Sequence, residues 1–369
     1  MRGVAVLGST GSIGRSTLAV LRRHPDRFRL VALTARRDRD GLAAQVAEWH
    51  PPLSGLADAA PEGASLPPLL LEAATHPDVA IVVNAIVGAA GLGVTLAALR
   101  AGKRVALANK ESLVMAGELV LRTAREGRGE VVPIDSEHSA VLQCMAGCPS
   151  PVSRLILTAS GGPFRDWTPE RMGAATVAEA LRHPTWQMGR KISVDSATLA
   201  NKALEIIEAH HLFGLPYDAL DAVIHPQSIV HAFVEYADGS VMAQLGFPSM
   251  ELPILYALTH PARLPDTGIR RFDPLTTGPL TFEPIRTDAF GAFRAGVAAG
   301  RAGGTAPAVF NAANEEAVAA FLDGRAAFGR IGELIDDALL AHDVRPADDV
   351  DTVRTADCWA RRRVRENLA

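Results

Sequence analysis

Over its first third the chain alternates short, unbroken apolar runs with stretches of helical spacing. Val4–Leu7, Phe28–Leu33, Ala80–Val83, Arg104–Ala108 and Val131–Ile134 read as strands, and Ser16–Arg23 has the three- and four-residue recurrence of a helix. Strands that are apolar at every position are buried on both faces, so the pattern predicts a parallel sheet with helices on either side. Ligands of such sheets bind beyond the carboxyl ends of the strands, which directs attention to the residues following each run. From Val79 to Leu99 the chain carries no charge and is long enough to span a bilayer. Asn84, Gly88, Gly91 and Gly93 interrupt it, so it is expected to divide into a strand (Val79–Val83), a turn and a helix at about 90–101.

Further on, Arg154–Ala159 predicts another strand, followed by Ser160-Gly161-Gly162-Pro163. Ser228–Tyr236 and Ser240–Leu245 are β-rich runs flanking Ala237-Asp238-Gly239, a hairpin signal with an edge open to pairing between subunits. Pro261 to Pro284 is rich in Pro and Thr with little periodicity and reads as a linker. Ala289–Ala299, Ala306–Phe321 and Ile331–His342 return to helical spacing, and these helices are expected to be support.

Composition narrows the class. At 369 residues two or three domains are expected, and 48% hydrophobic with 21% charged residues describes a packed globule rather than a disordered chain. A net charge of −4 argues against general nucleic-acid binding, which needs a basic face. Three cysteines, Cys144, Cys148 and Cys358, make no disulfide framework and no zinc spacing, and are expected to be reduced thiols. The sequence opens onto its first strand without a signal-peptide layout, so a cytoplasmic protein with no membrane partner is expected.

Gly8-Ser9-Thr10-Gly11-Ser12-Ile13-Gly14 follows the first strand and opens a helix. Glycines let a backbone turn tightly beside a pyrophosphate, and the helix N-terminus presents N–H groups to the anion; the alternative is a purely structural turn. After the second strand stands Thr34-Ala35-Arg36-Arg37-Asp38. Arg36 and Arg37 suit the 2′-phosphate of NADP, whereas Asp38 nearby suits the free hydroxyl of NAD.

Asn109-Lys110-Glu111-Ser112 and Asp135-Ser136-Glu137-His138 lie just past strands, on the ligand edge. If extended geometry persists, Asp135 and Glu137 face the same way. Two such acids repel unless a cation or proton lies between them, and without one a carboxylate's pKa should rise. Asn201, Lys202 and Glu205 reach one side of a helix, and Glu205 offers a third carboxylate. An all-oxygen set suits Mg²⁺ or Mn²⁺. Ser160, Ser196, Asn201 and Lys202 are donors for a phosphate. Between them, His183-Pro184-Thr185-Trp186-Gln187-Met188-Gly189-Arg190-Lys191 has the make-up of a mobile cover.

Gly8–Gly14, Ala85–Leu92, Ala108–Leu113, Asp135–His138, Ser160–Phe164, His183–Lys202, His225–Ser228 and Asn311–Asn314, taken in order, closely resemble the 1-deoxy-D-xylulose 5-phosphate reductoisomerase family. The resemblance implies an α/β fold: an N-terminal Rossmann-like parallel sheet, a central α+β catalytic domain and a C-terminal helical bundle. It implies an NADPH-binding domain over residues 1–123 and a catalytic domain over 124–260 with a lid loop at 183–191 and a dimerisation hairpin. A linker over 261–287 and a helical domain over 288–369 complete it. Thr10, Gly11, Ser12 and Ile13 would hold NADPH, with Asn109, Glu111 and Gly189 also contacting it. Asp135, Glu137 and Glu205 would bind Mg²⁺ or Mn²⁺. Ser160, Ser196, Asn201 and Lys202 would hold the phosphate end of a small phosphorylated sugar. Lys110, Ser136 and His183 would meet the rest of it, and Trp186 and Met188 would close over it. The assembly would be a homodimer. Two departures stand out: Arg36 and Asp38 replace a glycine and an asparagine common in the family, and the stretch between Cys144 and Arg154 is short. The implied reaction rearranges the substrate's skeleton to an aldehyde and reduces it with NADPH. A simple NADP-dependent dehydrogenase would not need three carboxylates beside a phosphate pocket, and an inactive NADPH sensor would be expected to show erosion at Lys110, Asp135, Glu137 or Glu205, all four of which have the expected type.

Overall fold

The computed structural model describes residues 1–57, 66–148, 150–186 and 188–368. They form two compact units. The first comprises residues 1–112, 117–139 and 249–270, and the second 113–116, 140–248 and 271–369.

The first unit is built on six parallel strands: β1 (Arg2–Leu7), β2 (Phe28–Ala35), β3 (Leu53–Leu56), β4 (Ile81–Asn84), β5 (Arg104–Leu107) and β6 (Glu130–Pro133). Their order is β3-β2-β1-β4-β5-β6, the doubly wound arrangement in which the strand order reverses beside β1. The apolar runs are buried as their pattern requires: Val4, Ala5, Val6 and Leu7 are wholly covered, as are Val82, Val83, Val105 and Ala106. The uncharged stretch resolves into β4 and a helix at Gly91–Arg100, and no helix among the described residues is long and apolar enough to cross a membrane. The boundary expected at 123 falls inside a helix, Glu111–Gly127, and β6 lies beyond it yet completes the first sheet.

In the second unit the sheet order is β10-β9-β7-β8-β11, with β7 (Val152–Ala159), β8 (Leu220–Ile224), β9 (Val230–Tyr236), β10 (Val241–Leu245) and β11 (Glu283–Pro284). β9 and β10 are the predicted hairpin, and β10 is an edge strand. The expected linker contributes β11 to this sheet by antiparallel pairing with β8. Helices Gly291–Ala302, Ala306–Leu322, Arg330–Leu340 and Val350–Leu368 share one core with the sheet, in which Phe164, Val194, Ile207 and Phe310 are buried together.

Candidate active site

The nucleotide turn is explained by what its glycines permit. Gly8 has φ +86°, and a Cβ there would lie 2.6 Å from the Ala85 carbonyl oxygen. A Cβ on Gly14 would lie 2.4 Å from the Gly8 oxygen, so the helix Ser12–Arg23 packs directly on the turn. That helix has Gly11 at its N-cap, no side-chain cap and no acid in its first turn, which leaves its positive end suited to an anion. Thr10, Gly11, Ser12 and Ile13 are partly or fully exposed around it.

Arg36 and Arg37 follow β2 and are exposed. Asp38 is engaged elsewhere, since its carboxylate caps the helix Arg39–Trp49 by accepting from the Gly41 N–H at 2.9 Å. Asn109 is buried, and its amide donates to the Ile86 and Gly88 carbonyls at 2.8 and 2.9 Å and to Glu111 at 2.9 Å. It braces the loop after β4, and Glu111 is buried beside it.

The extended geometry expected for Asp135 and Glu137 does not persist. β6 ends at Pro133, and a helix begins at Ser136, so Glu137 sits in its first turn. Asp135 stands at the helix entrance, where its backbone oxygen accepts from the Ser139 N–H at 2.8 Å and its side chain from the Ser136 N–H at 3.1 Å. The expected rise in carboxylate pKa is also reversed at Asp135. Burial alone would raise it, but the Lys110 ammonium paired with it, together with His138 at 3.7 Å, holds Asp135 well below the usual range. The cation that neighbouring acids require is supplied there by Lys110. Ser136 donates its hydroxyl to Glu137.

In the second unit Ser160 follows β7, and its hydroxyl meets His183 Nε2 at 2.9 Å. His183 Nδ1 accepts from the Thr185 and Trp186 N–H groups at 3.1 and 2.8 Å. An Nδ1 that accepts twice carries no proton, so His183 is the neutral Nε2–H tautomer donating to Ser160. Burial lowers its pKa to about 4, in agreement. Trp186 and Met188 are half-buried, Gln187 lies outside the described residues, and exposed Gly189 caps the helix Arg190–Ala197. Gly162, at φ +65°, allows the serine loop to approach Ser196, since a Cβ would lie 2.6 Å from the Ser196 oxygen. On the helix Ala200–Phe213, Asn201 and Lys202 both reach Glu205, as their spacing requires, and Lys202 also donates to the Thr158 carbonyl. Lys202 and Glu205 are almost fully buried.

Sequence reasoning missed His138 as Asp135's companion, although its spacing of three from Asp135 on a helix was a usable signal. It also missed Asp195, which pairs with Lys191 one turn away on its own helix and accepts from Asn314 on a distant one.

Family models match this chain over residues 4–66 and 67–117 (1-deoxy-D-xylulose 5-phosphate reductoisomerase), 131–213 (its C-terminal domain) and 245–363 (DXP reductoisomerase C-terminal domain). The 1-deoxy-D-xylulose 5-phosphate reductoisomerase of Ralstonia nicotianae is 50% identical over 388 residues, spanning 100% of this chain and 98% of the relative. That of Citrifermentans bemidjiense is 49% identical over 382 residues, spanning 100% and 99%. A crystal structure of DOX-P reductoisomerase in complex with NADPH, fosmidomycin and magnesium superimposes with a TM-score of 0.92 at 40% identity, covering 100% of this chain and 98% of that one. The Zymomonas mobilis enzyme in complex with NADPH gives 0.90 at 40% identity, covering 100% and 99%. With matches along nearly its whole length in sequence and in structure, the chain belongs to the 1-deoxy-D-xylulose 5-phosphate reductoisomerase family.

Proposed function

We propose that this chain converts 1-deoxy-D-xylulose 5-phosphate into 2-C-methyl-D-erythritol 4-phosphate, an NADPH-dependent and metal-requiring step of non-mevalonate isoprenoid biosynthesis. The full-length similarity to enzymes of that name carries the reading. A solved relative that holds NADPH, fosmidomycin and magnesium supports the choice of cofactors.

The residues fit the groups. A glycine turn, a helix end free of acids and two exposed arginines match a phosphorylated dinucleotide, and NADPH supplies hydride when bound. Thr10, Gly11, Ser12 and Ile13 line the pyrophosphate, Arg36 and Arg37 take the 2′-phosphate, and Asn109, Glu111 and Gly189 make the remaining contacts. Asp135, Glu137 and Glu205 are oxygen donors of the kind Mg²⁺ or Mn²⁺ takes, and such an ion supplies Lewis-acid polarisation of the substrate's carbonyl. Lys110 keeps Asp135 ionised in readiness.

Ser160, Ser196, Asn201 and Lys202 hold the phosphate. Neutral His183 presents its Nε2–H beside Ser160, where a substrate oxygen can take over the hydrogen bond. Lys110 and Ser136 meet the carbohydrate, and Trp186 and Met188 close over it and exclude water. The assembly is a homodimer paired through the β9–β10 hairpin; Val241 and Met242 on the edge strand are 54% and 48% exposed. The three free cysteines suit the reducing cytoplasm.

The test is loss of NADPH absorbance on adding 1-deoxy-D-xylulose 5-phosphate, abolished by EDTA and restored by Mn²⁺. NADPH oxidation that is indifferent to EDTA would remove the metal from the mechanism. No oxidation under any metal would remove the activity.

A further inference from the structure

Asn311–Asn314 is a family-like motif without a role in the chemistry above, and it lies on one of the C-terminal helices expected to be mere support. Asn314 is fully buried on the helix Ala306–Leu322, and its amide nitrogen donates to Asp195 Oδ1 at 2.8 Å. Asp195 is 1% exposed, and its other oxygen faces Lys191 Nζ at 2.8 Å. Both side chains belong to the helix Arg190–Ala197, which begins at the end of the lid loop and carries Ser196. One turn along from Asn311, Glu315 accepts from the Asn311 amide at 3.0 Å and from Arg361 at 2.8 Å. The Lys191 charge also acts on Glu315. Lys191 is thus paired with a carboxylate of its own helix.

This arrangement is poorly explained as core packing. A lysine in the first turn of a helix opposes the helix dipole. A buried carboxylate costs stability unless it is paired and hydrogen-bonded. The Asn311 and Asn314 side-chain oxygens are themselves buried without a hydrogen-bond partner, a loss that an apolar residue of similar size would avoid. What the network does achieve is directional: it fixes the rotation and height of one short helix relative to a rigid neighbour.

We propose that Asn314 is a positioning residue that, through Asp195 and Lys191, sets the helix 190–197, and with it Ser196 and the trailing end of the lid loop, for the phosphorylated substrate. The leading end is set separately by His183 on Ser160. The C-terminal helices thereby take part in substrate recognition without touching the substrate. This rests on the reaction proposed above.

The test uses the full chain with saturating NADPH and Mn²⁺. Asn314→Asp keeps the shape but sets a second carboxylate against Asp195. It should raise KM for 1-deoxy-D-xylulose 5-phosphate and cut kcat/KM at least about tenfold, since small misplacements of positioning groups carry such penalties. The Kd for NADPH, to which Gly189 at the head of this helix is assigned one contact, should change far less than the KM for the substrate. The double variant Asp195→Asn/Asn314→Asp, which exchanges the two partners, should recover most of the loss. Should Asn314→Asp fail to fold, Lys191→Met, at a partly exposed side chain, should give the same KM rise. Normal KM and kcat/KM in a variant whose only change is a lower Tm would overturn the proposal, as would a double variant no better than the single. If the parent itself turns over no substrate, the family reaction fails instead. The clamp is then judged by hydrogen exchange: amides 190–197 should exchange faster in Asn314→Asp than in the parent, and unchanged exchange would overturn it.

Discussion

Lys110–Asp135 in the first unit and Lys202–Glu205 in the second are the same chemistry built in two ways. Lys202 and Glu205 stand three apart on one helix, and their side chains are 4% and 1% exposed. Lys110 and Asp135 come from the ends of two neighbouring strands, and Asp135 keeps 17% of its side chain exposed. The helical pair is fixed by local backbone geometry and has little water to fall back on. The strand-end pair depends on sheet register, which places Leu107 opposite Pro133, and solvent can share its charge. Of the three carboxylates proposed as metal ligands, Asp135 and Glu205 are therefore each mounted with an ammonium, while Glu137 accepts from the Ser136 hydroxyl, and the two ion-pair mounts should fail by different amounts.

The largest effect is expected at the buried pair. Lys202→Ala removes the ammonium from a carboxylate almost without exposure, and breaking such a pair costs about 3–5 kcal/mol. Substrate affinity and turnover should fall with it, because binding at the phosphate helps to position the reacting end. Chemical denaturation and steady-state kinetics measure both. A stability loss below about 1 kcal/mol would mean that the two mounts do not differ as described.

Asp135→Asn should cost less, roughly 2 kcal/mol, because the hydrogen bond it weakens is charged but partly solvated. Repulsion among acids would have made this substitution neutral or stabilising without metal; the Lys110 pair makes it destabilising. The variant should also lose most of the Mn²⁺-induced rise in stability, which for the parent is about 2.7 kcal/mol at a hundredfold excess over Kd. Thermal melts with and without Mn²⁺ separate the two losses. Retention of both the Mn²⁺ response and turnover would remove Asp135 from the metal site.

The same contrast shows what is legible in the sequence. Features set by neighbours in the chain can be read directly: the continuous apolar strands β1, β2, β4 and β5, the glycine turn, the β9–β10 hairpin and the meeting of Asn201, Lys202 and Glu205. Features set by which strand or helix lies alongside cannot. Lys110 and Asp135 are joined by sheet order, and Asp195 and Asn314 by helix packing across more than a hundred residues. The short β11 is hidden because a two-residue strand in a Pro- and Thr-rich stretch has no periodicity. The end of β6 is obscured for a local reason: Asp135 and Ser136 begin a helix, and a D-S-E run is as good a helix start as a strand end.

His183 offers a third kind of mount, in which neutrality does what an ion pair does elsewhere. Its Nδ1 holds two backbone N–H groups, which only the unprotonated ring can accept. Its folded pKa, about 4, lies below the ordinary 6.5, so between these values the unfolded chain binds more protons than the native one. The stabilisation is fully present above about pH 6.5 and is lost as pH falls towards 4. A ring-proton titration by NMR should place His183 near 4, and His183→Gln should flatten this part of the stability profile. Titration near 6.5 would show that the ring is not buried in this role.

The smallest effect tests the cofactor loop, where an acid and two bases compete. Asp38 is engaged as an N-cap, with its carboxylate on the Gly41 N–H, while Arg36 and Arg37 are exposed. If capping is the whole of its work, Asp38→Ala should lower stability by about 1 kcal/mol and leave the NADPH-to-NADH preference unchanged. Arg36→Ala with Arg37→Ala should do the reverse: stability nearly unaltered, and preference for NADPH reduced about tenfold or more, the scale of one or two charge-assisted hydrogen bonds. The ratio of kcat/KM for the two cofactors, measured for both variants beside their melting curves, decides between the assignments. A change of preference in Asp38→Ala would return that carboxylate to the ribose, because a residue that only caps a helix has no means of distinguishing a 2′-phosphate from a hydroxyl.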